Sequence, residues 1–130
     1  MSEILITGGR LIDGTGAAPR PADVLLRDDS IVAVGAPGTV TGAPDARRLD
    51  ATGKTVMPGL IDTHLHCTFD DVQSNDELFF HREPAMSALT TAQNLEKILR
   101  AGVTSFMDPD TAWGIGPSVR DAIDCGVIDG

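Results

Sequence analysis

The sequence predicts a mixed α/β chain, with a small all-β unit over residues 1–54 and strand–helix alternation over residues 55–130. Three observations carry this reading. The first part is made of short apolar and β-branched runs separated by glycine-rich punctuation. Further on, Leu89, Ala92, Leu95 and Leu99 follow helical spacing, with Ile98 beside the last and Gly102 as the natural stop. Apolar runs on either side of that helix, at residues 55–66 and 103–107, complete a strand–helix–strand pattern, the opening of a parallel α/β unit.

In chain order, Ile4-Leu5-Ile6 leads to Gly8-Gly9, and Arg10-Leu11-Ile12 leads to Gly14-Thr15-Gly16, which reads as short strands separated by turns. These glycines are not followed by a helix with a lysine at nucleotide-binding spacing, so turn chemistry accounts for them better than a phosphate loop. Residues 22–27 and 30–35 flank Asp28-Asp29, a polar pair that suggests a hairpin. Pro37-Gly38, Gly42-Ala43-Pro44 and Gly53-Lys54 mark loops, and residues 47–51 read as one more strand. From Thr55 a strand, interrupted at Pro58-Gly59, runs to His66, a polar loop follows over residues 67–84, and residues 85–101 form the helix. Residues 103–107 form the next strand, and a second helix runs from Gly116 to Asp124, with Gly126 placed to end it.

Composition excludes several function classes. With 42% hydrophobic and 22% charged residues the chain is globular rather than disordered. A net charge of −9 argues against a nucleic-acid partner or an anionic membrane surface, both of which want basic patches. Two cysteines are too few for a disulfide scaffold, and no apolar stretch approaches the ~20 residues of a membrane span. Nothing resembles a signal peptide, so the expected compartment is the cytoplasm.

The residues richest in chemistry are His64 and His66, at the end of the apolar run. On a strand, positions i and i+2 project to one side, so Asp62, His64 and His66 share a face while Thr63 and Leu65 take the other. Two imidazoles converging from one strand suit a transition metal such as Zn²⁺. They do not complete a site, because zinc wants three or four protein ligands. The spacing alone leaves a metal pair and two ordinary histidines equally open.

The flanking residues add a resemblance. Val56-Met57-Pro58-Gly59-Leu60-Ile61-Asp62-Thr63-His64-Leu65-His66 resembles the signature of the amidohydrolase superfamily, the metal-dependent hydrolases related to urease, dihydroorotase and imidazolonepropionase. The opening residues 4–16 resemble the first strands of that family, and Leu99-Arg100-Ala101-Gly102-Val103-Thr104-Ser105 resembles the entry to its second barrel strand, all in family order. The resemblance implies the start of a (β/α)₈ TIM-like barrel, preceded by a small β-sandwich that residues 1–54 form only in part. Residues 55–130 would be the first two βα units. It implies a divalent metal cofactor, Zn²⁺ by preference and one or two ions, held through His64 and His66. The implied reaction is attack of activated water on an amide-like carbon. In the imidazolonepropionase-like and prolidase-like branch, substrates are cyclic amides, N-acyl amino acids or dipeptides. A deaminase on the same scaffold and a non-catalytic scaffold relative are the alternatives.

Other polar residues have two readings each. Asp62 either orients an imidazole or bonds nearby backbone. Asp108 and Asp110 end the second strand, where barrel chemistry gathers, and are candidates to line the pocket. His81, with Arg82 and Glu83, either reaches over the site or stays an exposed loop histidine. Asp70 and Asp71 either touch substrate or form a solvated loop, and Trp113, Phe79 and Phe80 form either pocket walls or core. Cys67 points away from both histidines, which argues against a nucleophilic thiol. Neither lysine, Lys54 or Lys97, sits at a strand end, so neither fits the carboxylated metal-bridging lysine of many family members.

Family members draw their remaining ligands and catalytic base from later barrel strands. The 130 residues are therefore expected to be the N-terminal portion of a larger hydrolase or one piece of a split one, inactive alone. Its partners would be the remainder of the barrel and a small amide-like substrate, with homo-oligomerisation when complete and no nucleic acid or membrane.

Overall fold

The computed structural model describes residues 2–69 and 72–130; Asp70 and Asp71 lie outside the described residues. The chain divides into two units, Met1–Pro58 and Gly59–Gly130. The first is a five-stranded sheet and the second combines two helices with a two-stranded parallel sheet, a mixed α/β chain.

In the first unit β1 (Glu3–Leu11), β2 (Arg20–Arg27) and β3 (Ser30–Gly35) form an antiparallel meander. β4 (Arg47–Asp50) and β5 (Thr55–Val56) both lie parallel to β1 on its other edge. The Gly8-Gly9 pair, expected to separate two strands, lies inside one. The chain absorbs it as a register shift between Ile6 and Gly9, with Gly8 at φ 75°. No turn is needed because β2 continues opposite both halves. The Asp28-Asp29 hairpin forms with Asp28 in the left-handed region at φ 52°, which aspartate tolerates better than most residues. Leu11, Ala22 and Val24 make the buried cluster, with Ile6, Leu26 and Val56 packed against it. Asp23 is buried beside them, its carboxylate accepting from the Gly38 N–H at 2.6 Å and the Gly8 N–H at 3.4 Å.

The expected single strand from Thr55 to His66 is two strands. Thr55–Val56 pairs with β1, the chain breaks at Pro58-Gly59, and β6 (Leu60–Asp62) pairs with β7 (Val103–Phe106) in parallel. Proline donates no N–H to a ladder, so the switch of partners falls where a ladder bond is already missing. Gly59 permits the approach that follows: a Cβ there would run into the side chain of Thr104, including its Cβ.

Between the strands, the loop over 67–84 contains a π-helical turn at Glu77–His81, and α1 spans Pro84–Arg100. Pro84 opens this helix, where a missing N–H costs nothing, and Gly102 follows it at φ 92°. Lys97 and Arg100 sit in its last turn, where cations favour the dipole, and Arg100 pairs with Glu96 one turn back. Of the helically spaced apolar row, Leu95 is fully buried and Ile98 packs against the core, but the buried face is mostly polar. It is Ser87, Thr91, Asn94 and Leu95, while Leu89 is 69% exposed. A count of apolar positions missed this because three of the four buried residues are polar. α2 spans Ile115–Asp124, after a 3₁₀ turn at Ala112–Gly114. No helix among the described residues is long and apolar enough to cross a membrane.

The core of the second unit is Cys67, Leu95, Ile115 and Val119, with Leu65, Ile98, Phe106 and Ile123 packed against it. Full burial of Leu95 contributes about 2 kcal/mol in area removed from water. Cys67 is 3% exposed, and its Sγ donates to Asp108 Oδ2 at 2.6 Å. Burial, with the Asp108 carboxylate beside it, pushes the Cys67 thiol up to about 12.

Two outcomes follow from this packing. Gly59→Ala is expected to destabilise the second unit by about 1–3 kcal/mol, the usual cost of overpacking, in urea titrations. An unchanged midpoint would mean that Thr104 and its strand yield freely. A thiol reagent should modify one cysteine per native chain, the exposed Cys125, and two after denaturation. Two reactive thiols in the native protein would contradict the burial of Cys67.

Candidate metal centre

The β6–β7 pairing extends past the end of β6. The Met107 N–H donates to the Asp62 carbonyl at 2.9 Å, and the Leu65 N–H donates to the Met107 carbonyl at 3.0 Å. Leu65 turns into the core of the second unit, and the residues on either side of it take the other face. There the His64 and His66 rings meet, Nε2 to Nε2 at 3.2 Å, centroids 5.0 Å apart and nearly perpendicular at 70°. The two histidines thus lie two and four residues beyond the end of β6, held by its continuing ladder.

Each histidine has its own support. Asp62 Oδ1 accepts from the His64 N–H at 3.0 Å, which fixes the backbone entering the pair. Of its two sequence readings, Asp62 takes the backbone one. The Nδ1 of His66 faces two oxygens, the Asp110 carbonyl at 3.4 Å and Asp108 Oδ1 at 4.0 Å. Acceptors on that side favour a proton on Nδ1, which leaves the Nε2 lone pair turned toward His64. The Phe69 ring stacks on the imidazole of His66, centroids 4.5 Å apart and 15° from parallel.

Asp108 organises the turn after the pair. Its Oδ2 accepts from the Cys67 N–H at 3.1 Å as well as from the thiol, and its Oδ1 accepts from the Asp110 N–H at 3.2 Å. At 9% side-chain exposure it is an interior carboxylate whose acceptor sites are used by the backbone around the histidines. Asp110 joins through its backbone carbonyl.

The remaining sequence candidates go elsewhere. His81 Nε2 lies 3.1 Å from Asp76 Oδ2, both side chains about 70% exposed, a surface pair on the π-helical turn. Phe79 packs edge-on to Phe69, whereas Phe80 is 76% exposed. Trp113 is 45% exposed, with φ 55°. One contributor escaped the sequence reading. Asn94 of α1 donates from Nδ2 to the carbonyls of Cys67 at 2.9 Å and Phe69 at 3.2 Å. Its only signal was an amide in register with Leu95 and Ile98 on a helix.

The pair fits a metal. Two imidazole nitrogens each about 2.05 Å from a tetrahedral ion stand about 3.3 Å apart, close to the separation present. Among the described residues no cluster of three or more His, Cys, Asp or Glu is arranged to hold an ion.

The chain resembles known proteins in sequence and in fold. The sequence profile of the Amidohydrolase family matches residues 55–115, a span that includes β6, both histidines, α1 and β7. The chain is 40% identical over 89 residues to N-acyl-D-glutamate deacylase of Alcaligenes xylosoxydans xylosoxydans, covering 68% of this chain and 16% of that protein. It is 36% identical over 108 residues to adenine deaminase 2 of Rhizobium johnstonii, 82% of this chain and 15% of that one. The structure of a Xaa-Pro dipeptidase with methionine bound in its active site superposes with a TM-score of 0.85 and 26% identity. That match covers 99% of this chain and 32% of the dipeptidase. The chain therefore spans less than a third of the length of each of these relatives. On sequence and fold together, it belongs to the amidohydrolase superfamily.

Proposed function

We propose that this chain supplies two metal ligands, His64 and His66, to an enzyme that hydrolyses a carbon–nitrogen bond of an amide-like substrate. The observation that carries the reading is the 3.2 Å approach of the two Nε2 atoms at the C-terminal end of a parallel strand. That end is where barrel enzymes gather their chemistry. The second unit would be the first two βα units of a (β/α)₈ barrel, and the sheet ending at Pro58 part of a composite β-sandwich. The remaining ligands and a proton-transferring carboxylate would come from other parts of the enzyme, a view supported by the small share of each relative that the chain spans.

A divalent ion, Zn²⁺ by ligand preference, would supply Lewis acidity when bound, bringing the pKa of water toward neutrality and polarising a carbonyl. The chain's own residues prepare for it. Asp62 holds the backbone of His64, the Asp110 carbonyl lies 3.4 Å from His66 Nδ1 as an acceptor for a proton there, and Phe69 covers one face of that ring. Substrates of the deacylase and dipeptidase kind, N-acyl amino acids or dipeptides, suit this reading. A second reading, deamination of a ring carbon bearing an amino group, is favoured by the match to adenine deaminase 2 over 82% of this chain.

His64→Ala and His66→Ala in the full-length enzyme should each remove most of the bound metal and abolish turnover. The loss should exceed the ~10–100-fold that removing an outer hydrogen-bond partner costs. Metal content by mass spectrometry and hydrolysis of an N-acyl amino acid panel measure both. Retained metal and activity in either variant would refute the ligand role. Release of ammonia from an aminopurine, with no turnover of amides, would favour the second reading.

A further inference from the structure

The turn at residues 67–69 leaves the metal pair with its carbonyls pointing at α1, where Asn94 meets them. The Asn94 amide is 9% exposed, and one nitrogen serves the carbonyls of both Cys67 and Phe69. Lys97 Nζ donates to Asn94 Oδ1 at 3.2 Å, which sets the orientation of the amide, with its nitrogen toward the turn. An amide on a buried helix face costs free energy unless it is bonded, and these three contacts satisfy it. A carboxylate of the same shape would keep the Lys97 contact and lose both bonds to the turn.

What the clamp positions is Phe69. Its carbonyl is tied to Asn94 and its ring lies flat on His66, with Phe79 packed edge-on at 5.9 Å. The same turn is held from the opposite strand by Asp108 through the Cys67 N–H. A ligand ring stacked on a tethered aromatic has little room to rotate, so its nitrogen stays where the second imidazole can share an ion. We infer that Asn94 is a positioning residue of the metal centre, acting through the carbonyls of Cys67 and Phe69 to hold the Phe69 ring against His66. This rests on the metal reading of His64 and His66.

The test uses the full-length protein with Co²⁺ as the probe, read by competition titration and by the visible spectrum of the bound ion. Asn94→Asp and Phe69→Leu should each weaken Co²⁺ binding by about tenfold or more and alter the spectrum. The double variant should be no weaker than the weaker single, because both act on one ring. A merely structural Asn94 would lower the melting temperature while affinity and spectrum stayed at wild type, and that result overturns the inference. Fully additive losses overturn the route through Phe69. Should Asn94→Asp fail to fold by circular dichroism, Phe69→Leu decides: wild-type affinity overturns the inference, and a tenfold loss upholds the stack on which it depends. A wild-type protein that binds no Co²⁺ overturns the metal reading itself, which separates that failure from this one.

Discussion

Everything at the histidine pair depends on the parallel pairing of β6 with β7. The ladder runs on through the Met107 and Leu65 amides, so the backbone at residues 62–65 is held as a strand would hold it although the regular strand ends at Asp62. That pairing sends Leu65 into the core with Leu95 and Val119 and leaves the two imidazoles on the other face. The hydrophobic burial that stabilises the unit and the direction of the two imidazoles are thus set by one register. A slip by one residue would bury the histidines and expose Leu65.

The turn after the pair turns this direction into a fixed geometry. It is held from β7's side by Asp108 and from α1 by Asn94. Each bonds backbone rather than a histidine side chain. A buried carboxylate and a buried amide are costly unless satisfied, and here the turn satisfies both. Cys67, between them, contributes packing and a bonded thiol. Its burial and its raised pKa remove it from nucleophilic chemistry.

Much of this was legible in the sequence, because the clearest signals rest on local chemistry. Alternation put His64 and His66 on one face, Gly102 marked the end of α1, and Asp28-Asp29 marked the hairpin. What failed was non-local. Gly8-Gly9 looked like a turn, since glycine permits one, but the strand opposite carries the chain straight through as an irregular pairing. The run from Thr55 to His66 reads as one strand interrupted at Pro58-Gly59, since periodicity cannot show that Thr55–Val56 and Leu60–Asp62 pair with different strands. The polar part of α1's buried face, Ser87, Thr91 and Asn94, has no apolar signal, and the bonds of Asn94 go to a turn distant in sequence. His81 carried a chemically suggestive side chain that bonds its neighbour Asp76 at the surface.

A metal role for the pair requires that the two imidazoles share one ion. A crystal structure of the zinc-loaded full-length protein, with anomalous data collected at the zinc edge, addresses this directly. The expected result is one anomalous peak within about 2.0–2.1 Å of both Nε2 atoms of His64 and His66. Zinc bound elsewhere with the pair left open, or a peak reached by only one of the two rings, would contradict it.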